Sequence, residues 1–192
     1  MNVMNTFVIL LRGINVGGKN EVSMTLLREC LEKLGFSNVL TYIASGNIIL
    51  ESNKSPKEIQ DIIENALVKN FKLDSDLIKV LVLTREQLRA IVDNKPKGFG
   101  ERPDMYHSDA IFLMDIDSVE AMHVFSPREG IDKVWSGNEV IYSQRLSAER
   151  TKSRLNRIIG TPAYKSMTIR SWNTTTKLLK LLDEISHGDR PT

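Results

Sequence analysis

Residues 7–20 read Phe-Val-Ile-Leu-Leu-Arg-Gly-Ile-Asn-Val-Gly-Gly-Lys-Asn, an apolar run that empties into a glycine-rich, cationic loop. Glycine reaches backbone conformations closed to other residues. Gly13, Gly17 and Gly18 can therefore turn N–H groups toward an anion, with Arg12, Asn15 and Lys19 beside them. The spelling Gly13, four residues, Gly18-Lys19 also matches a phosphate loop. Three features separate it from nucleoside triphosphate hydrolysis. Magnesium needs a Ser or Thr after the lysine, where this chain has Asn20. The helix of such a loop starts at the lysine, whereas the capping signal here comes later, at Ser23. Those loops also belong to parallel doubly wound sheets, and the elements here alternate differently. Asp115, after the apolar run 111–114, imitates a magnesium-binding aspartate, but a lone acid at a strand end is commonplace. The loop is expected to hold a phosphate-bearing small ligand, with an unliganded surface turn as the plain alternative.

A second cluster, Thr168-Ile169-Arg170-Ser171-Trp172-Asn173-Thr174-Thr175-Thr176-Lys177, is a strand entering a helix start dense in hydroxyls and amides. The N–H groups exposed there favour an anion by about 0.3–1 kcal/mol through the helix dipole. Arg170 adds a charge-assisted bond of roughly 1.5–3 kcal/mol. The structural reading of the same residues is that Asn173 or Thr174 caps the helix and Trp172 packs. The third cluster is Thr151-Lys152-Ser153-Arg154, on a helix predicted over 150–159. Arg150, Arg154 and Arg157 stand there at i, i+4 and i+7, one basic stripe opposite Leu155, Ile158 and Ile159. A solvated helix face accounts for such a stripe equally well, except that balancing acids are missing. From Arg145 to Lys180 nine basic residues meet only Glu149, so this segment carries +8 and leaves the remainder of the chain at −6. Charge separated in this way presents one attractive face to anions, a nucleic acid among them.

Other chemistries find little footing. His107, His123 and His187 are widely spaced, and Cys30 is alone among Leu26, Leu27, Leu31 and Leu34, so neither a metal site nor an intrachain disulfide is expected and Cys30 reads as core filler. No serine or cysteine sits in a nucleophile motif, and no cofactor signature is present. RNA-reading sheets need stacking aromatics on their central strands, where this chain offers Phe7, Phe112 and Tyr142 without the accompanying arginine- and glycine-bearing motif. The longest apolar run is five residues, Phe7 to Leu11, too short to span a membrane, and the start of the chain lacks a signal pattern, so cytosol is the expected compartment.

The elements that must position these clusters fall into two similar series. Strands are predicted at 7–12, 40–44, 47–51 and 78–83. Between them come a helix over 24–34, capped by Ser23 and stopped by Gly35, and a second opened by Ser55-Pro56-Lys57-Glu58, a capping box with proline at the first helical position. Thr84-Arg85-Glu86-Gln87 opens a third. A connector over 94–109 holds Pro96, Gly98, Gly100 and Pro103, and the pattern restarts. Strands follow at 111–114, 133–135, 139–143 and 167–170, with helices at 118–122, 150–159 and 173–185. Ser45-Gly46-Asn47 and Ser136-Gly137-Asn138 both fall at hairpins. The expected fold is α+β, two ferredoxin-like halves (1–93 and 110–186) with antiparallel sheets arisen by duplication, followed by a tail over 187–192. Several strands are apolar at every position, so both faces of each sheet should be covered.

Four of these stretches, in order, resemble a bacterial family catalogued as domain of unknown function 1697: Leu11-Arg12-Gly13-Ile14-Asn15-Val16-Gly17-Gly18-Lys19, Thr41-Tyr42-Ile43-Ala44-Ser45-Gly46-Asn47, Thr151-Lys152-Ser153-Arg154, and Arg170 to Lys177. The likeness runs from Thr6 to Leu182 and departs slightly at Ala44 and Ser171. It implies a cytosolic α+β protein of two related halves and brings no substrate with it. The expected ligand residues are Arg12, Gly13, Asn15, Gly17, Gly18, Lys19, Ser45, Asn47, Lys152, Arg154, Arg170, Trp172, Asn173 and Lys177, converging on one phosphate-bearing molecule. Polyanion binding by the 145–180 face and an enzyme acting on a phosphorylated substrate are the alternatives. Spacing shows no general base for the enzyme and says nothing of oligomeric state.

Overall fold

The structure, a computed structural model, describes residues 4–73 and 78–186; the expected tail over 187–192 lies outside them. The chain forms two compact units, Met1–Leu88 with Leu178–Thr192, and Arg89–Lys177. Each contains one four-stranded antiparallel sheet.

The first unit is built from β1 (Asn5–Arg12), α1 (Met24–Lys33), β2 (Ser37–Tyr42), β3 (Asn47–Ser52), α2 (Pro56–Asn70), β4 (Lys79–Thr84) and the start of α3 (Arg85–Asp93). Its helices begin where side chains can satisfy the first free N–H groups. Ser23 Oγ accepts from Leu26 N. Ser55 and Glu58 close a reciprocal capping box, as do Thr84 and Gln87. The sheet runs β2-β3-β1-β4, and Phe7, Ile9, Leu11, Ile48 and Leu50 pack from one face into a core with Leu27, Leu31, Ile59 and Ile63. Val8, Leu10 and Ile49, pointing to the other face, are equally buried. An unbroken apolar strand is thus matched by cover on both sides. Cys30 is half-buried and lines a groove of about 640 Å³ between α1 and α2 instead of filling the core. Leu27 and Leu31 of the same helix take the inward positions.

The second unit repeats the design with β5 (Tyr106–Leu113), α4 (Ser118–Met122), β6 (Asp132–Ser136), β7 (Val140–Leu146) and β8 (Met167–Ser171), ending in the start of α5 (Trp172–Ser186). Its strand order, β6-β7-β5-β8, reproduces that of the first sheet, giving the expected duplicated α+β architecture. The duplication reaches single bonds: Leu11 N donates to Gly46 O at 2.8 Å, and Leu113 N to Glu139 O at 3.0 Å. That equivalence also shows that the two Ser-Gly-Asn tripeptides do not correspond. Gly46 matches Glu139, both at positive φ, whereas Gly137 sits two residues earlier with its N–H bonded to Val140 O.

The helix predicted over 150–159 is not present. Residues 147–166 form three 3₁₀ segments, Ser147–Lys152, Leu155–Gly160 and Pro162–Ser166. The reason is competition for backbone donors. Asp132 Oδ2 captures Arg154 N at 2.8 Å and Ser153 Oγ captures Leu155 N at 3.3 Å, so the ladder breaks between the first two segments. Arg150, Arg154 and Arg157 remain exposed, but on separate turns instead of one stripe. Two boundaries also shift. β5 begins at Tyr106, inside the expected connector, and β2 ends at Tyr42 because Ile43 adopts φ +50°.

Candidate functional site

The glycine loop of the first unit is a small hairpin, not a phosphate cradle opening a helix. Lys19 N donates to Val16 O and Asn15 N to Asn20 O, each at 3.0 Å, around Gly17 and Gly18. Both glycines have positive φ, the requirement of a two-residue type I′ turn. The two asparagines lock the base. Asn15 Nδ2 donates to Val22 O at 3.0 Å and Ala44 O at 2.8 Å, and its Oδ1 accepts from Val22 N. Asn20 Nδ2 donates to Gly13 O. Asn15, expected as a ligand contact, thus spends its amide on the fold. The same holds for Asn47, fully buried, whose Nδ2 donates to Tyr42 O and Ser45 Oγ.

What the loop offers outward is its tip, with Val16, Gly17, Gly18 and Lys19 exposed. At its base, Arg12 is the last residue of β1 and stands opposite Lys79, the first of β4, in antiparallel register. Both are half-buried, and both make further interactions within the protein. The register thus sets two cationic side chains opposite each other at this end of the sheet. Lys79 was not among the expected ligand residues. Its signal was its place at the start of a strand that had to pair with β1.

The remaining expected residues belong to the second unit. Arg170 is 7% exposed, donating through Nη1 to Thr168 Oγ1 and Ile169 O, and burial lowers its pKa to about 10. It is therefore no part of an exposed basic face. Trp172 is buried in an edge-to-face aromatic group with Phe99, whose ring also meets Tyr142 and Trp135. The helix cap is Ser171 instead of Asn173 or Thr174: its Oγ accepts from Thr174 N at 3.2 Å. Asn173 is exposed and Lys177 half-buried. Lys152 pairs with Glu149 at 2.7 Å, and the Thr151–Arg154 turn is anchored on Asp132, which accepts from Arg128 N and Arg154 N. Desolvation works to raise the Asp132 pKa, but hydrogen bonds from Arg154, Ser153 and Arg128 outweigh it and hold the carboxyl low.

One polar group escaped the sequence reading. Asp109 lines a cavity of about 40 Å³ with Ser143, Arg145 and Asn156, and contacts His107 Nε2 at 3.1 Å. Burial raises its pKa against the pull of His107 and Arg145. Alternation along β5 places His107 and Asp109 on one face, which is the signal that was available. Among the described residues no group of three or more His, Cys, Asp or Glu side chains is placed to hold a metal ion, and no helix is long and apolar enough to cross a membrane.

A duplicated α+β fold with a cationic hairpin at the end of its first sheet is the class these observations define. The family described as "Protein of unknown function (DUF1697)" matches residues 4–142, and the chain belongs to it. A solved structure, that of the conserved bacterial protein SP0830 from Streptococcus pneumoniae, is similar at a TM-score of 0.80 and 27% identity, over 94% of this chain and 99% of that one. A search of curated proteins found no significant match.

Proposed function

We propose that the protein binds a phosphate-bearing small ligand at the end of the first sheet, between the tip of the 15–20 hairpin and the Arg12–Lys79 pair. The observation that carries this reading is the register of β1 and β4, which sets Arg12 opposite Lys79 at the end of β1 from which the exposed Gly-Gly-Lys tip follows in the chain. Charge-assisted bonds to phosphate are about twice as strong as neutral ones. Gly17 and Gly18 let a phosphate approach the backbone without a side chain intervening. Calorimetric titration with pyrophosphate tests the reading: Arg12→Gln and Lys79→Gln should each weaken binding about tenfold, the effect of roughly 1.4 kcal/mol. Wild-type affinity in both variants would remove the site.

A second reading, polyanion binding by the second unit, is favoured by the exposed Arg150, Arg154, Arg157 and Lys165. Lys152 is already paired and Arg170 buried, so the usable charge is smaller than the composition of 145–180 suggests. Affinity for a short oligonucleotide should then fall log-linearly with salt, with a slope set by the phosphates contacted. A salt-independent affinity, or none, removes this reading.

A further inference from the structure

The two units are built alike, and two of their departures from each other fall in one place. The bonds from Leu11 N to Gly46 O and from Leu113 N to Glu139 O are equivalent, so Phe7 of β1 corresponds to Asp109 of β5, and Leu50 of β3 to Ser143 of β7. Both registers agree: Phe7 lies opposite Leu50, and Asp109 opposite Ser143. Phe7 and Leu50 are buried in the core of the first unit with Ile59 and Ile63 of α2. The second unit sets a carboxyl and a hydroxyl at these two core positions, and in place of the covering helix it has the 3₁₀ segments of residues 147–166. Burying such groups costs stability that an apolar pair would not, and the first unit shows that the fold does not require them.

Between the sheet and the 3₁₀ segment Leu155–Gly160 lies a cavity of about 40 Å³, lined by Asp109, Ser143, Arg145 and Asn156 and walled by Ile111, Ile158 and Ile169. Asn156 and Ile159 at its rim are exposed, so it reaches the surface. Ser143 is 3% exposed, and its hydroxyl meets no hydrogen-bond partner among the described residues. A buried hydroxyl left so points to an occupant. Arg145 pulls electrostatically on the Asp109 carboxyl without a hydrogen bond to it, and Asp109 Oδ1 faces His107 Nε2 instead. The other carboxyl that Arg145 feels, that of Asp132, accepts from the backbone of Arg128 and Arg154. One cavity thus presents a guanidinium and a carboxyl that are not joined to each other, with a hydroxyl, an amide and aliphatic walls.

We infer that this cavity binds a small aliphatic α-amino acid, with its carboxylate on Arg145, its ammonium on Asp109 and its side chain against the isoleucines. Opposite charges held apart in one cavity match a zwitterion, and a planar guanidinium takes a carboxylate through two parallel bonds. Ser143 and Asn156 add donors of their own. Burial disfavours the Asp109 carboxylate, and an ammonium beside it offsets that cost. One water needs about 10–15 Å³ of such space, so there is room for about three groups of that size: a carboxylate, an ammonium and a methyl. The site lies wholly in the second unit and stands or falls apart from the phosphate reading.

The test titrates the ¹⁵N-labelled full chain with L-alanine, with propionate, which lacks the ammonium, and with ethylamine, which lacks the carboxylate. L-Alanine should give saturable shifts at the amides of Asp109, Ser143 and Arg145 and bind at least about tenfold more tightly than either fragment. Asp109→Asn, which should fold at least as well as the parent, should erase the preference for L-alanine over propionate. Arg145→Gln should weaken L-alanine and propionate and leave ethylamine unaffected. Ser143→Ala alters no charge; it should keep the melting temperature and weaken L-alanine about threefold, which preserves the test if a charge change disturbs folding. Propionate or ethylamine binding as tightly as L-alanine would overturn the inference, as would L-alanine binding unchanged in Asp109→Asn and Ser143→Ala. Absence of saturable shifts with all three probes would assign the cavity to water and overturn it as well.

Discussion

Asn15 Nδ2 reaches Ala44 O at 2.8 Å, and this bond joins two turns that are 29 residues apart in the chain. Because the same amide also exchanges two bonds with Val22, at 3.0 and 2.8 Å, Asn15 fixes where the glycine hairpin leaves the sheet. Asn15→Ala should cost about 2–4 kcal/mol, three bonds at roughly 1 kcal/mol each with some desolvated carbonyl left over. Chemical denaturation measures the loss, and amide exchange at Lys19 should accelerate with it. Unchanged stability would mean that the hairpin is not tied down by this side chain.

Two glycines should respond differently to the same substitution. At Gly100 an added Cβ would run into Trp172 Cδ1, so Gly100→Ala must displace a ring packed edge-to-face on Phe99. The expected cost is about 2–3 kcal/mol from overpacking. Both tryptophans of the chain belong to this aromatic group, so intrinsic emission should shift as well. At Gly17 an added Cβ meets nothing within 4 Å, and only the positive φ opposes it. Gly17→Ala should therefore cost about 1 kcal/mol and leave emission unchanged. The reverse order in a denaturation series would contradict the packing described.

Tyr142 makes the second unit sensitive to alkaline pH. Its hydroxyl donates to Ile91 O at 2.6 Å, and burial pushes its pKa up to about 12. The folded chain holds this proton more tightly than the unfolded one. Its contribution to stability is thus complete below pH 10 and is lost as the pH rises toward 12. A gap of about two units corresponds to roughly 2–3 kcal/mol. Tyr142→Phe should flatten the fall in stability between pH 10 and 12, read by denaturant titration at each pH. An unaltered slope would assign that fall to other groups.

Asp132 and Asp109 should move stability in opposite directions. The Asp132 pKa is held low because hydrogen bonds from Arg154, Ser153 and Arg128 overcome desolvation, so its stabilisation is present above the ordinary carboxylate range and is lost as the pH falls through its folded value. The Asp109 pKa is raised by burial, so its favourable contribution is present in acid and is lost as the pH rises through its folded value. At pH 7, Asp132→Asn should destabilise by about 1–3 kcal/mol and Asp109→Asn should stabilise. Both effects should shrink toward pH 3. Equal signs at pH 7 would contradict these environments.

How far the sequence could be read depended on the range of the interactions involved. The caps at Ser23, Ser55 and Thr84 were legible because each is closed by a residue three positions away. The α+β class with antiparallel sheets followed from the alternation of element types, which chain connectivity restricts to few arrangements. The basic stripe at 150–157 failed because Asp132, far off in sequence, takes the backbone donor that a helix would need. Asn15 and Asn47 read as ligand contacts in the sequence because polar side chains beside glycines suggest binding, whereas the fold brings backbone carbonyls to their amides. Lys79 was hidden for the converse reason: its proximity to Arg12 exists only in the paired sheet.

The central claim, an anion site at the Arg12–Lys79 end of the first sheet, is tested most directly by titrating ¹⁵N-labelled protein with inorganic phosphate and following every backbone amide. Saturable shifts should concentrate at Arg12, Gly17, Gly18, Lys19 and Lys79 and disappear in the Arg12→Gln variant. Shifts confined to residues 150–165, or none that saturate, would contradict the account.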